Sequence, residues 1–240
     1  LALGADFSFS RWMEPHAGVD DLSKESWGRM KIFIFTEIYP SPYKPYFDTM
    51  FADLLRGGHD ILIFSNGGLS VAPEGRARSS GLESKTSFVP TTLRALPRFS
   101  SSLLRALIGR PAARLQCCLR VWDSNIGIKR NVMNCARALL LPLECPDVCY
   151  VHNLISMRQF AFLRAMYPRA TVAFYYHGGE VPGVPELGVA EAAHAFSAAD
   201  VVLTNTKSSR CHAISRGCSP EVIYAVPLGF DLSEFQPQRG

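Results

Sequence analysis

The chain has 240 residues, 48% hydrophobic and 19% charged, a balance that allows a large buried core and argues against disorder. Its apolar runs, Ile32 to Phe35 and Ala138 to Leu143 among them, fall far short of the roughly 18–20 residues that a membrane-spanning helix needs. The net charge of +4 conceals an asymmetry: between Arg94 and Arg137 stand nine basic residues and one acid, Asp123, so the remainder of the chain is net acidic.

Residues 1–29 mix Trp, Phe and charges without a period and read as a loosely ordered extension. Regular signals begin at Lys31. Ile32-Phe33-Ile34-Phe35 is an all-apolar run of β-formers, as expected of a strand covered on both faces. A Pro-rich turn follows, and then Phe47, Met50, Phe51, Leu54 and Leu55 recur at the spacing of one buried helix face, with Pro45 in the first turn and Gly57-Gly58 at the end. Ile61 to Phe64 is a second buried strand, which completes a βαβ unit.

The stretch from Asn66 to Thr92, rich in Gly, Ser and Pro, predicts a long loop with a short strand near Phe88-Val89. Two helices are predicted at about 99–109 and 111–141, the second opened by Pro111 and carrying a stripe of Leu115, Leu119, Trp122 and Ile126. Alternation then resumes. Strands are expected at Val148 to Val151, Thr171 to Tyr176, Val201 to Leu203 and Val222 to Val226, with helices near Met157 to Met166, Glu186 to Ala198 and Ser208 to Arg216. Strands alternating with helices over this length predict an α/β fold with a doubly wound, parallel, Rossmann-like sheet. The expected organisation is one domain over 30–230, with 231–240 the start of a linker.

Ligands of such sheets bind at the carboxyl ends of the strands, where loops converge and helix N-termini offer unpaired N–H groups. That rule selects Thr36 to Tyr46, His152-Asn153, His177 to Glu180 and Thr204 to Lys207. In Tyr176-His177-Gly178-Gly179-Glu180 a histidine ends a buried strand, and two residues without side chains leave room for a ligand to approach imidazole and backbone together. The first loop offers Tyr39, Lys44 and Tyr46, a cation and two aromatics suited to a phosphate and a sugar ring; a stiff turn with solvated tips is the plainer alternative. A His, His, Glu metal site matches no standard spacing, so no metal is expected.

Dinucleotide and P-loop glycine motifs and a G-x-S-x-G elbow are absent from the sequence. Seven cysteines, an odd set without a C-x-x-C pair, read as reduced, mostly packed thiols. No secretory signal is visible, and the cytoplasm is the expected compartment. Arginines 94, 98, 105, 110 and 114, interleaved with Leu, Phe and Ile, suit either solvated helix faces or a surface lying on the anionic inner face of a membrane. Nucleic acid is not an expected partner.

Lys31 to Pro40 and Leu54 to Ile61 resemble the opening of glycosyltransferase family 4, whose enzymes have the two-domain GT-B fold. More specifically, Ala199-Asp200-Val201-Val202-Leu203-Thr204-Asn205-Thr206, with Gly217-Cys218 and Val226 to Pro237, resembles that family's junction between its two domains. The likeness spans about 31–237, though 66–145 matches only in general character. Lys44-Pro45 replaces the Gly-Gly that many relatives carry in the first loop and resembles a subset acting on exopolysaccharides.

The resemblance implies retaining transfer of a sugar from a nucleotide-sugar co-substrate to a glycan or lipid-linked acceptor, without a cofactor. In this family the N-terminal domain binds the acceptor. His177 and Gly178 match its His-Gly strand end, which places His177 beside the reacting sugar, and Asn205-Thr206 match a polar pair on the cleft edge. The family's donor half would begin after Pro237, so the chain is expected to need a C-terminal domain or partner subunit and to be inactive alone. A binding or scaffold module that keeps the sheet without the chemistry is the rival reading, and a sugar-nucleotide epimerase of GT-B architecture a third.

Overall fold

Lys31–Ile38 (β1) shows how the sheet is built: Ile32 and Ile34 point to one face, Phe33 and Phe35 to the other, and all four are buried. A computed structural model describes residues 28–39, 45–67, 81–177 and 188–226 of the chain. Around β1 lie Asp60–Gly67 (β2), Thr86–Phe88 (β3), Val148–His152 (β4), Thr171–Tyr176 (β5), Val201–Thr204 (β6) and Ile223–Ala225 (β7). All neighbours pair in parallel, in the order β3-β2-β1-β4-β5-β6-β7. The strand order reverses between β1 and β4, the switch point at which open α/β sheets bind ligands.

Both faces of the sheet are covered, as a parallel sheet requires. On one side Pro45–Arg56 (α1) buries Phe47 and Phe51 against Ile32, Ile34, Ile61 and Ile63. The larger core lies on the other side, where Phe33, Phe35, Phe64, Val151 and Phe174 meet apolar residues of the remaining helices, except the first of them, which buries no residue. Those helices are Ser100–Gly109 (α2), Pro111–Val121 (α3), Ile128–Leu140 (α4), Leu154–Phe160 (α5), Leu163–Met166 (α6), Val189–Ser197 (α7) and Lys207–Ser215 (α8). No helix among the described residues is long and apolar enough to cross a membrane.

Gly217 closes α8 with φ +94, and a Cβ there would lie 2.6 Å from the Ala193 Cβ, so both the backbone angle and the packing require glycine. β1 runs past the apolar run into Thr36, Glu37 and Ile38, because Thr36 pairs with Ser65 and Ile38 with Gly67.

The larger departures fall in the helices. The single helix expected at 111–141 breaks at Trp122, and the cause is Asn131. Its buried amide accepts a hydrogen bond from the Asp123 N–H and donates to the Asp123 and Ile126 carbonyls, satisfying a loop that replaces the helix. The expected stripe also faces the wrong way. Leu115, Leu119 and Trp122 are exposed, Ile126 lies in the loop, and α3 instead buries Cys117 and Val121. The helix expected at 157–166 is two helices, α5 and α6, and begins earlier, at Leu154. Of the expected 1–29 extension, all but Gly28 and Arg29 lies outside the described residues, as does the linker at 231–240.

Candidate functional site at the carboxyl ends of the sheet

β4 and β5 are in register, with His152 opposite Tyr175, so His177, two residues beyond Tyr175 and just past the end of β5, reaches the same edge. Alternation turns Tyr150, His152, Tyr175 and His177 toward the α1 side of the sheet. His152 is 1% exposed, packed edge-on to Phe47 of α1 at 4.2 Å between ring centroids and stacked on Tyr175 at 5.5 Å. The two histidines the sequence singled out touch: Nε2 of His177 lies 2.5 Å from Nε2 of His152. One proton must lie between those atoms, since two N–H groups would collide and two lone pairs would repel. The other nitrogen of His152, Nδ1, is 3.3 Å from the Tyr150 hydroxyl. The buried ring of His152 thus stands between the half-buried Tyr150 and His177, and any further hydrogen bond from the nitrogens of the His177 ring passes through its Nδ1.

Asn153 follows at the switch point with φ +74, a strained conformation for a residue with a side chain. The site holds it there. Its N–H donates to the Tyr175 carbonyl, its side-chain oxygen caps α5 by accepting from the Ser156 N–H at 2.8 Å, and its amide reaches Glu37 of β1 at 3.5 Å. One residue therefore ties β1, β4, β5 and the start of α5 together.

Asn205 and Thr206 follow β6. Thr206 caps α8 by accepting from the Ser209 N–H at 3.0 Å. The Ser209 hydroxyl lies 3.1 Å from the His177 carbonyl, 3.0 Å from Asn205 Oδ1 and 2.9 Å from Thr206 Oγ1, so it fastens this polar pair to the backbone of His177. Ser209 was missed by sequence reasoning. The Thr-Lys-Ser-Ser run at 206–209 carried the signal, a cap residue followed three positions on by a second hydroxyl.

Tyr39 is placed differently from expectation. It is 1% exposed, its ring packs on Phe47 and Phe51, and its hydroxyl donates to Asp48 at 2.8 Å, so it belongs to the core on the α1 side of the sheet. Burial, reinforced by Asp48, pushes its hydroxyl well above the usual tyrosine range. Lys44, Gly178, Gly179 and Glu180 lie outside the described residues; Tyr46 stands in the first turn of α1.

Arg94, Arg98, Arg105 and Arg110 are exposed, as a solvent- or membrane-facing role requires. Arg114 is not so disposed: its guanidinium donates to the Ala138 and Leu141 carbonyls at 3.3 and 2.5 Å, capping the end of α4. Arg137 is buried against the Phe160 ring and donates to the carbonyls of Pro90, Gln159 and Thr91.

Among the described residues no three His, Cys, Asp or Glu side chains are grouped to hold a metal ion. All seven cysteines are free thiols; Cys117, Cys149 and Cys218 are buried and Cys211 is exposed. Burial pushes Cys118 up to about 12 and Cys218 up to about 11, so both stay protonated near neutral pH.

No protein-family model and no curated protein matches the chain. Solved structures do. The structure of Anabaena Alr3699/HepE in complex with UDP-glucose superposes with a TM-score of 0.51 at 12% identity, over 88% of this chain and 47% of that one. Its complex with UDP and glucose superposes with a TM-score of 0.50 over the same shares. The apo form of WaaB, a lipopolysaccharide outer core galactosyltransferase, gives a lower TM-score of 0.43 at 14% identity, over 82% of this chain and 45% of that one. The chain thus spans about half the length of the structures it resembles. Together with the seven parallel strands, the likeness to the HepE structures establishes the fold: an α/β, Rossmann-like sheet equivalent to one half of a GT-B architecture.

Proposed function

We propose that this chain is the acceptor-side half of a nucleotide-sugar-dependent glycosyltransferase of the family 4 type, in which His177 contacts the reacting sugar and a second α/β domain holds the nucleotide diphosphate. The observation that carries the reading is the His152–His177 contact. It sets an imidazole at the carboxyl edge of the sheet beside the β1–β4 switch point, backed by a buried partner that fixes its orientation. A binding role that needed only hydrogen-bonding capacity would not require a second buried histidine. That the HepE structure sharing this fold contains UDP-glucose supports a nucleotide-sugar as the donor.

In this account the chain's own residues bind and orient. Asn205 and Thr206, tethered through Ser209 to the backbone of His177, edge the same site, and transfer proceeds with retention at the anomeric carbon to a glycan or lipid-linked acceptor. The test is transfer from UDP-glucose and other nucleotide-sugars by a protein joining this chain to a donor domain. His177→Ala is expected to lower kcat by about 100-fold or more, the usual effect of removing a group that acts on the reacting centre. Unchanged transfer would instead make the chain a scaffold whose edge histidine has no part in chemistry.

A further inference from the structure

Between the Thr91–Arg94 turn, α4 and the end of α5 lies an open cleft of about 570 Å³. Five cationic side chains line it, Arg94, Lys129, Arg130, Arg137 and Arg158, and no carboxylate is among its lining residues. Arg137 forms a fixed floor, its three carbonyl partners orienting the guanidinium without neutralising it. Burial first, and Arg130 second, draw Arg137 down to about 10, which leaves it charged at neutral pH. Arg158 pairs with Glu191 at 2.7 Å, whereas Arg94 and Lys129 are exposed and in no ion pair among the described residues. Gathering like charges in one hollow is unfavourable unless an anion occupies it.

The same helical layer has an adhesive exterior. Leu104 and Ile108 on α2, and Leu115 and Leu119 on α3, stand one turn apart in pairs and are each more than half exposed. Trp122 and Ile128 extend the exposed apolar surface. Arg98, Arg105, Arg110 and Arg120 are exposed among these residues. α2, α3 and α4 pack on one another, so cleft and apolar faces belong to one unit. An apolar surface interleaved with unpaired cations fits an anionic bilayer; a second copy of this layer would bring like charges together.

We propose that the cleft is a phosphoryl-binding site for a lipid headgroup, and that the outer faces of α2 and α3 seat the protein on the anionic membrane presenting it. The role of that lipid as acceptor rests on the transferase reading above, but its capture does not require transfer.

The experiment measures binding to vesicles of phosphatidylcholine alone and of phosphatidylcholine with a fifth phosphatidic acid, beside calorimetric titration with inorganic pyrophosphate. At physiological salt the phosphatidic acid vesicles should bind at least about tenfold more tightly than the neutral ones. The R94Q/K129Q double variant should lose about tenfold in affinity for both phosphatidic acid vesicles and pyrophosphate, with an unchanged thermal transition. L104S/I108S should weaken vesicle binding and leave pyrophosphate binding intact. Equal binding to the two vesicle types, or pyrophosphate binding indifferent to R94Q/K129Q, overturns the proposal. Pyrophosphate bound without any vesicle binding overturns the lipid assignment in favour of a soluble phosphoryl ligand. Should the chain joined to a donor domain transfer no sugar while phosphatidic acid binding persists, the transferase reading fails and this site stands.

Discussion

The carboxyl edge of β4 and β5 and the helical layer from Leu93 to Leu140 handle polarity in opposite ways. At the strand edge the histidine pair and the two caps match polar group to polar group: His152 holds His177, Asn153 caps α5, and Ser209 ties α8 to the backbone of His177. In the helical layer apolar and cationic groups are left outside, and the buried Arg137 is matched only by carbonyls. A matched, buried array fixes the orientation of a few atoms, which is what chemistry needs. An unmatched exterior fixes nothing by itself and gains by meeting another surface.

The contrast can be broken first at Arg137. Arg137→Ala strands three carbonyl acceptors beneath the cleft and should destabilise the fold by about 3 kcal/mol, measured by urea denaturation. A midpoint equal to that of the parent would show that these bonds hold nothing. Gly217→Ala should cost about 2 kcal/mol in the same measurement, since it adds a left-handed β-carbon to a contact with Ala193.

His152→Phe keeps the packing against Phe47 and Tyr175 and removes the nitrogen facing His177. It should lower kcat of the two-domain enzyme about tenfold, or about 1.4 kcal/mol, with KM little changed. A loss confined to KM would mean that the pair serves binding instead of orientation. The smallest effect belongs to the other region: Leu119→Ser should change stability by no more than about 0.5 kcal/mol, because its side chain already meets solvent. A large loss there would mean that α3 is packed more deeply than its exposure indicates.

The sheet was legible in the sequence because both of its faces are buried, which leaves short all-apolar runs such as Ile32 to Phe35 and Ile61 to Phe64. The helical layer was not. Apolar periodicity normally marks an inward face, and in α3 Leu115 and Leu119 mark the outward one while Cys117 and Val121 pack inside. The break before α4 was written in Asp123-Ser124-Asn125 and Gly127, turn formers set inside an otherwise helical pattern. Position at a strand end singled out His152, Asn153 and His177, which the structure brings to one edge, whereas the burial of Tyr39 depends on a contact with Asp48 of α1 that its own neighbours do not announce. Ser209 and the cationic cleft depend on residues brought together from separate elements, which no local spacing records.

The central claim is that sugar transfer needs this lobe and a second one that grips the nucleotide. Assay of purified 1–240 with UDP-glucose and a panel of nucleotide-sugars should show no turnover, and supplying a donor domain should restore it. Turnover by the isolated chain would contradict the account, because the chain would then hold a complete donor site of its own.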